Sequence, residues 1–150
     1  MRYKSLAAGY LVKKGKVLLV HHKKFNKWAP PGGHIEEDET PDEAVIREWK
    51  EELYVDIEII PAHESAFSGD KNTRAIPMPF YIDLERDEVF DVPHVGYFFY
   101  VKMVGDKKIV NVLKKELYEA KWFAKEELPK LVTFNQVKAL AEYAIDHYPS

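Results

Sequence analysis

The stretch Gly32–Val55, GGHIEEDETPDEAVIREWKEELYV, decides how the rest of the chain is to be read. Thr40, Pro41, Asp42 and Glu43 form a Thr-x-x-Glu capping box with Pro at the first helical position, which predicts a helix beginning at Pro41. Asp42 and Glu43 place negative charge in its first turn, where the helix dipole favours it, and nothing breaks the pattern before Leu53. Glu48, Glu51 and Glu52 then fall at helical spacing, so their carboxylates should project from one side within reach of a common point. Ala44, Val45, Ile46, Trp49 and Leu53 supply an apolar stripe that should pin the helix to a core and hold the acidic face outward.

Three like charges converging in this way repel one another. Arg47 offsets part of that repulsion, and a hard divalent cation with oxygen ligands, Mg2+ or Mn2+, answers it more completely. An isolated Glu-rich helix is more often a solvated acidic face, and here the spacing argues otherwise. Gly33, Glu39, Arg47-Glu48, Trp49, Glu51-Glu52 and Val55 stand at offsets that resemble the signature box of the Nudix hydrolases. One position departs from the family pattern: Tyr54 stands where a Gly is expected. A Gly there suits a left-handed residue ending the helix, so either Tyr54 accepts strain or the chain leaves the helix differently.

The resemblance implies an α/β (α+β) Nudix fold, a mixed β-sheet sandwiched between α-helices, with residues 1–150 as a single domain. It implies Mg2+-dependent hydrolysis of a phosphoanhydride bond, in a nucleoside diphosphate derivative or a nucleoside triphosphate, with water attacking phosphorus. Carried over by position, Glu48 and Glu52 are the expected direct metal ligands, Glu51 shares a metal or acts as base, and Gly32 offers its backbone carbonyl to the metal. Glu39 is expected to pair with Arg47 and orient the catalytic helix. Glu116, six residues before Trp122, matches a late-loop Glu that binds a metal or takes a proton from water, and Glu119 competes for that role. The alternative is a catalytically silent Nudix-fold nucleotide sensor, against which the intact Arg47, Glu48, Glu51 and Glu52 argue.

The remaining composition is consistent with this. A chain of 150 residues suits one domain with a core of its own, and zero cysteines exclude disulfides, thiolate zinc sites and cysteine nucleophiles. No secretory signal or membrane span is evident, so a cytoplasmic protein without a membrane role is expected. The net charge of -3 and the dispersed Lys and Arg do not indicate a nucleic-acid surface. The expected partner is a small-molecule nucleotide, and the expected state a monomer or homodimer. Lys23, Lys24 and Lys27, just upstream of the glycines, can meet phosphate oxygens or sit in a solvated loop. Gly32 and Gly33 allow close contacts that a Cβ forbids, which makes Gly33 a substrate-side candidate. Trp28 can stack on a base or sugar, although anchoring a loop is the commoner role. His34 is assigned no chemistry.

Elsewhere, Leu6–Val12 and Lys16–His21 have strand character around a turn at 13–15 and predict a hairpin. Strands are also expected over 56–60, 77–84 and 94–104, with loops over 63–76 and 85–93 and a turn at 105–108. A Trp-Phe strand and a short helical turn at 126–129 should follow. Thr133 to Gln136 reads as a second capping box opening a helix whose apolar positions are Val137, Leu140, Ala141, Ala144 and Ile145. Positions 71–73, Lys-Asn-Thr, carry neither the Pro that accompanies ADP-ribose hydrolases nor the Tyr of dinucleoside polyphosphate hydrolases. Nor is a coenzyme A or NADH signature present, which leaves nucleoside triphosphates, including damaged ones, as the favoured substrates.

Overall fold

The computed structural model describes residues 2–86, 90–106, 108, 112 and 114–149. Its central strand is β1 (Lys4–Tyr10), whose last four residues are buried. A strand apolar on both faces needs cover on both sides and partners at both edges. β1 has them: it pairs antiparallel with β5 (Gly32–His34) and parallel with β10 (His94–Met103). β10 in turn pairs antiparallel with β6 (Ile57–Ile60) and β9 (Tyr81–Glu85), completing a mixed five-stranded sheet.

A second, antiparallel sheet is built on β3 (Lys16–His22), flanked by β11 (Leu117–Ala124), the short β2 (Val12–Lys13) and β4 (Lys27–Ala29). The expected hairpin between Leu6–Val12 and Lys16–His21 is therefore corrected. Lys14 and Gly15 do form its turn, both with positive φ (53° and 75°), but that turn joins β3 only to β2. The chain changes sheets at Leu11, because β1 is committed along its length to β10.

Side chains alternate across both sheets and sort into two cores. Ala7, Leu11, Leu18, Val20, Phe99 and Val101 face one way, against α1 (Pro41–Leu53) and its buried Trp49. Ala8, Tyr10, Val17, Leu19, Phe98 and Tyr100 face the other, against α2 (Asn135–His147) and a 3-10 turn at Lys125–Lys130. The result is sheet between helices, as expected. Gly9 lets α1 lie close, since a Cβ there would stand 2.7 Å from Val101 Cγ1 and 2.8 Å from the Trp49 indole nitrogen.

Helix α1 has the predicted bounds. The backbone N–H of Thr40 donates to Glu43 Oε1 at 2.9 Å, and the Thr40 carbonyl accepts from Ala44 N–H at 3.0 Å. Of its apolar stripe, Ile46 is 39% exposed and does not belong to the core, while Ala44, Val45, Trp49 and Leu53 do. The second capping box is also corrected. Helix α2 starts at Asn135 with Phe134 at the cap, and the Thr133 hydroxyl donates to the Trp28 carbonyl instead. The apolar positions of α2 hold: Val137, Leu140, Ala141 and Ala144 are buried and Ile145 is partly so.

The loop over 63–76 carries a small hairpin, β7 (Gly69–Asp70) and β8 (Thr73–Arg74), closed by Asp70 Oδ1 accepting the N–H groups of Asn72 and Thr73. Arg74 ties it back to Asp42 at the start of α1, at 3.1 Å. Parts of the expected loop 85–93 (87–89) and turn 105–108 (107) lie outside the described residues. Among those described, no helix is long and apolar enough to cross a membrane.

Candidate active site

The acidic side of α1 faces β5, and the glycine pair makes the approach possible. A Cβ on Gly33 would stand 2.7 Å from both Cδ and Oε1 of Glu48. The Gly32 N–H donates to Glu52 Oε2 at 2.9 Å. Glu52 is 1% exposed and Glu48 is 5% exposed, so the expectation of an outward acidic face is corrected for these two; only Glu51 is exposed. Burial, and after it the charge of Glu48, pushes the Glu52 carboxyl well above its ordinary pKa.

Arg47 is the organising cation. Its Nε and Nη2 donate to the two oxygens of Glu39 at 2.7 and 3.0 Å, a bidentate pair, and Nη2 also reaches the His34 carbonyl at 3.0 Å. Nη1 bridges Glu48 Oε1 at 2.9 Å and Glu51 Oε2 at 2.8 Å. The bond from Arg47 holds Glu39 below the usual carboxylate range. The loop before the helix and the helix itself are thus locked by one guanidinium.

A second cation was not foreseen. Lys114 Nζ donates to Glu48 Oε2 at 2.8 Å and stands 3.9 Å from Glu51 Oε2. Burial is the largest single influence and would lower the pKa of Lys114, but the bond to Glu48 together with the charges of Glu48, Glu52 and Glu51 raises it overall. Glu48 and Glu51 thus share Arg47, the second oxygen of Glu48 takes Lys114, and Glu52 is held by the Gly32 N–H. Among the described residues, no three His, Asp or Glu side chains are gathered as a metal-binding group. The donors present nevertheless suit Mg2+ or Mn2+: they are all oxygen, two of the carboxylates are buried, and cations already sit against Glu48.

These groups form one side of a cleft of ≈ 1040 Å3. Glu48, Glu52, Gly32, Gly33, Glu116 and Lys114 line it, as do Lys24, Lys27 and His22, while Phe25, Phe90 and Phe98 give it an apolar side. Glu51 is not among its lining residues. Nor is Trp28. β4 alternates: Lys27 and Ala29 face the cleft, and Trp28 turns the other way to stack on His21 (centroids 4.8 Å, 14°) and meet Phe123 edge-on.

At the far end, His34 and His94 meet through their Nε2 atoms at 2.9 Å. His94 Nδ1 lies 2.8 Å from the Val92 carbonyl, which can only accept, so Nδ1 carries hydrogen and Nε2 of a neutral His94 accepts from His34. No short-range pattern announces a pair drawn from β5 and β10. Lys114 did have a signal, its proximity in sequence to Glu116.

A nucleotide-sized cleft floored by a Gly-loop and a Glu-bearing helix, inside a sandwich of mixed sheet and helices, suits a hydrolase of phosphate anhydrides. The family model described as the NUDIX domain matches residues 4–143. The chain belongs to the NUDIX domain family and is an enzyme of the Nudix pyrophosphohydrolase class. Among solved structures, it resembles a NUDIX-family hydrolase from Clostridium perfringens, with TM-score 0.77 and 27% identity over 95% of each chain. A MutT NUDIX hydrolase from Burkholderia pseudomallei shares the fold, with TM-score 0.71 and 18% identity over 99% of this chain and 100% of that one. So does an ADP-ribose pyrophosphatase from Streptococcus suis, with TM-score 0.61 and 18% identity over 97% of this chain and 94% of that one. No curated protein matches the sequence.

Proposed function

We propose that the protein, acting as one Nudix domain, is a Mg2+-dependent hydrolase that splits a phosphoanhydride bond in a nucleoside triphosphate or a nucleoside diphosphate derivative. The observation that carries this is the burial of Glu48 and Glu52 on the wall of a cleft large enough for a nucleotide. Isolated carboxylates are rarely buried without a cation, and two adjacent ones less so.

Glu48 and Glu52, with Glu51 and the carbonyl of Gly32, are the residues proposed to hold the metal. When bound, Mg2+ would neutralise phosphate oxygens and leave phosphorus open to attack. The chain's own residues supply the rest. Arg47, fixed by Glu39, holds Glu48 and Glu51 in place. Lys24 and Lys27 face the cleft and attract the phosphates, and the aromatic side formed by Phe25, Phe90 and Phe98 suits a base. Of the two candidate bases, Glu116 is favoured, because it lines the cleft, whereas Glu51 does not and is bonded to Arg47.

The test is product analysis with Mg2+ across nucleoside triphosphates, oxidised nucleotides, ADP-ribose, nucleotide sugars and dinucleoside polyphosphates. Glu52→Gln should lower turnover on the best substrate by about 10^2-fold or more while the protein stays folded. Wild-type turnover in that variant would refute the assignment of the site.

A further inference from the structure

Glu48 offers two oxygens and both are taken by cations, Oε1 by Arg47 at 2.9 Å and Oε2 by Lys114 at 2.8 Å. For Glu48 to ligate a metal, one of them has to give way. The two are held very differently. Arg47 is bound at the same time by both oxygens of Glu39, by the His34 carbonyl and by Glu51. Lys114 has Glu48 as its hydrogen-bonded carboxylate and Glu51 only at 3.9 Å, and it comes from the loop before β11 rather than from a helix or strand. A flexible four-carbon stem ending in a point charge leaves more readily than a planar guanidinium fixed by several bonds.

We propose that Lys114 is the built-in cation a divalent ion displaces from Glu48, and that its freed ammonium then serves the phosphate oxygens of the nucleotide. The inference rests on the proposed metal role of Glu48. Two consequences separate it from a structural ion pair. Removing the amine should strengthen metal binding, because the ion no longer competes for Glu48, and should weaken nucleotide binding, because a cation is lost from the cleft wall. A merely structural lysine would shift both in the same direction or neither.

The experiment is a Mn2+ titration followed by electron paramagnetic resonance, without nucleotide, on the wild type, Lys114→Met, Lys114→Gln and Lys114→Arg. ADP binding to each Mn2+-loaded protein is then measured calorimetrically. The Met and Gln variants should bind Mn2+ about tenfold more tightly and ADP about tenfold more weakly, the factor expected from one charge-assisted contact. Lys114→Arg, which keeps the competing charge, should not gain Mn2+ affinity. Unchanged or weaker Mn2+ binding in both Met and Gln variants overturns the displacement while leaving the metal reading of Glu48 intact. Unchanged ADP binding overturns the phosphate role. Absence of Mn2+ binding in every protein overturns both the inference and the metal reading on which it rests.

Discussion

Tyr54 closes α1 in the left-handed region, at φ 55° and ψ 41°, with its N–H donating to the Lys50 carbonyl at 3.0 Å. For a residue with a Cβ this conformation costs about 1–2 kcal/mol, a cost that glycine avoids. The Tyr54 ring returns part of it by lying 4.2 Å from Lys50 Nζ, an exposed cation–π contact of about 0.5–1 kcal/mol. Two substitutions separate these effects. Tyr54→Ala keeps the strain and loses the ring, so it should destabilise the protein by about 0.5–1 kcal/mol. Tyr54→Gly loses both, and the freedom of glycine in the unfolded chain takes back about 0.5–1 kcal/mol of the relief. The glycine variant should therefore stand about 0.5–1 kcal/mol above the alanine variant, a difference of about 1–4 °C in Tm. Urea unfolding of the metal-free proteins, with equal m-values, measures the difference directly. A glycine variant equal to or less stable than the alanine variant would show that the left-handed exit is not under strain.

Three further outcomes follow from the site and its supports. Because the folded pKa of Glu52 is raised, its contribution favours folding in acid and is lost as pH rises from the ordinary Glu range through the folded value. Glu52→Gln removes that loss, so without metal its stability relative to wild type should increase with pH and converge with it in acid; a pH-independent difference in urea midpoint would contradict this. Gly33→Ala places a methyl 2.7 Å from the Glu48 carboxylate and should cost about 1–3 kcal/mol, with at least tenfold lower turnover at saturating Mg2+; undiminished turnover would show that Glu48 does not need this position. Thr133→Val removes the hydroxyl bond to the Trp28 carbonyl and should cost about 1 kcal/mol in thermal unfolding, with no effect on α2 capping detectable by circular dichroism.

The legible part of this molecule was the part written in short range. Thr40, Pro41 and Glu43 gave the helix start within four residues, and the Arg47–Glu52 spacing gave the family. The glycine pair was also legible, since contacts without a Cβ are a local property. What the sequence did not give was direction. Ile46 looks like part of an apolar stripe and is exposed, because the helix is rotated to bury Glu48 and Glu52 against β5. Trp28 and Lys27 are neighbours on opposite faces of a three-residue strand, too short for alternation to announce which face meets the cleft. Thr133 has the right partner spacing for a cap, and lost to a tertiary acceptor, the Trp28 carbonyl. The Lys114–Glu48 and His34–His94 pairs join distant positions and leave no periodic trace. The hairpin at 13–15 was identified from its turn residues, but nothing local told β1 to leave it for β10.

That parallel pairing governs the order in which the molecule can assemble. Lys4 lies opposite His94 and Tyr10 opposite Tyr100, so the central ladder of the larger sheet unites the two ends of a long intervening chain. Closing so large a loop is entropically costly before any contact repays it, which slows the fold relative to topologies built from local contacts. During synthesis, β1 emerges early and waits for β10 before its second edge is covered. The segment from β3 through α1 is already outside the ribosome by then, with Trp49 and the acidic face awaiting a completed sheet. A nascent chain halted before His94 would therefore expose the edge and apolar faces of β1, and would be the form most in need of a chaperone.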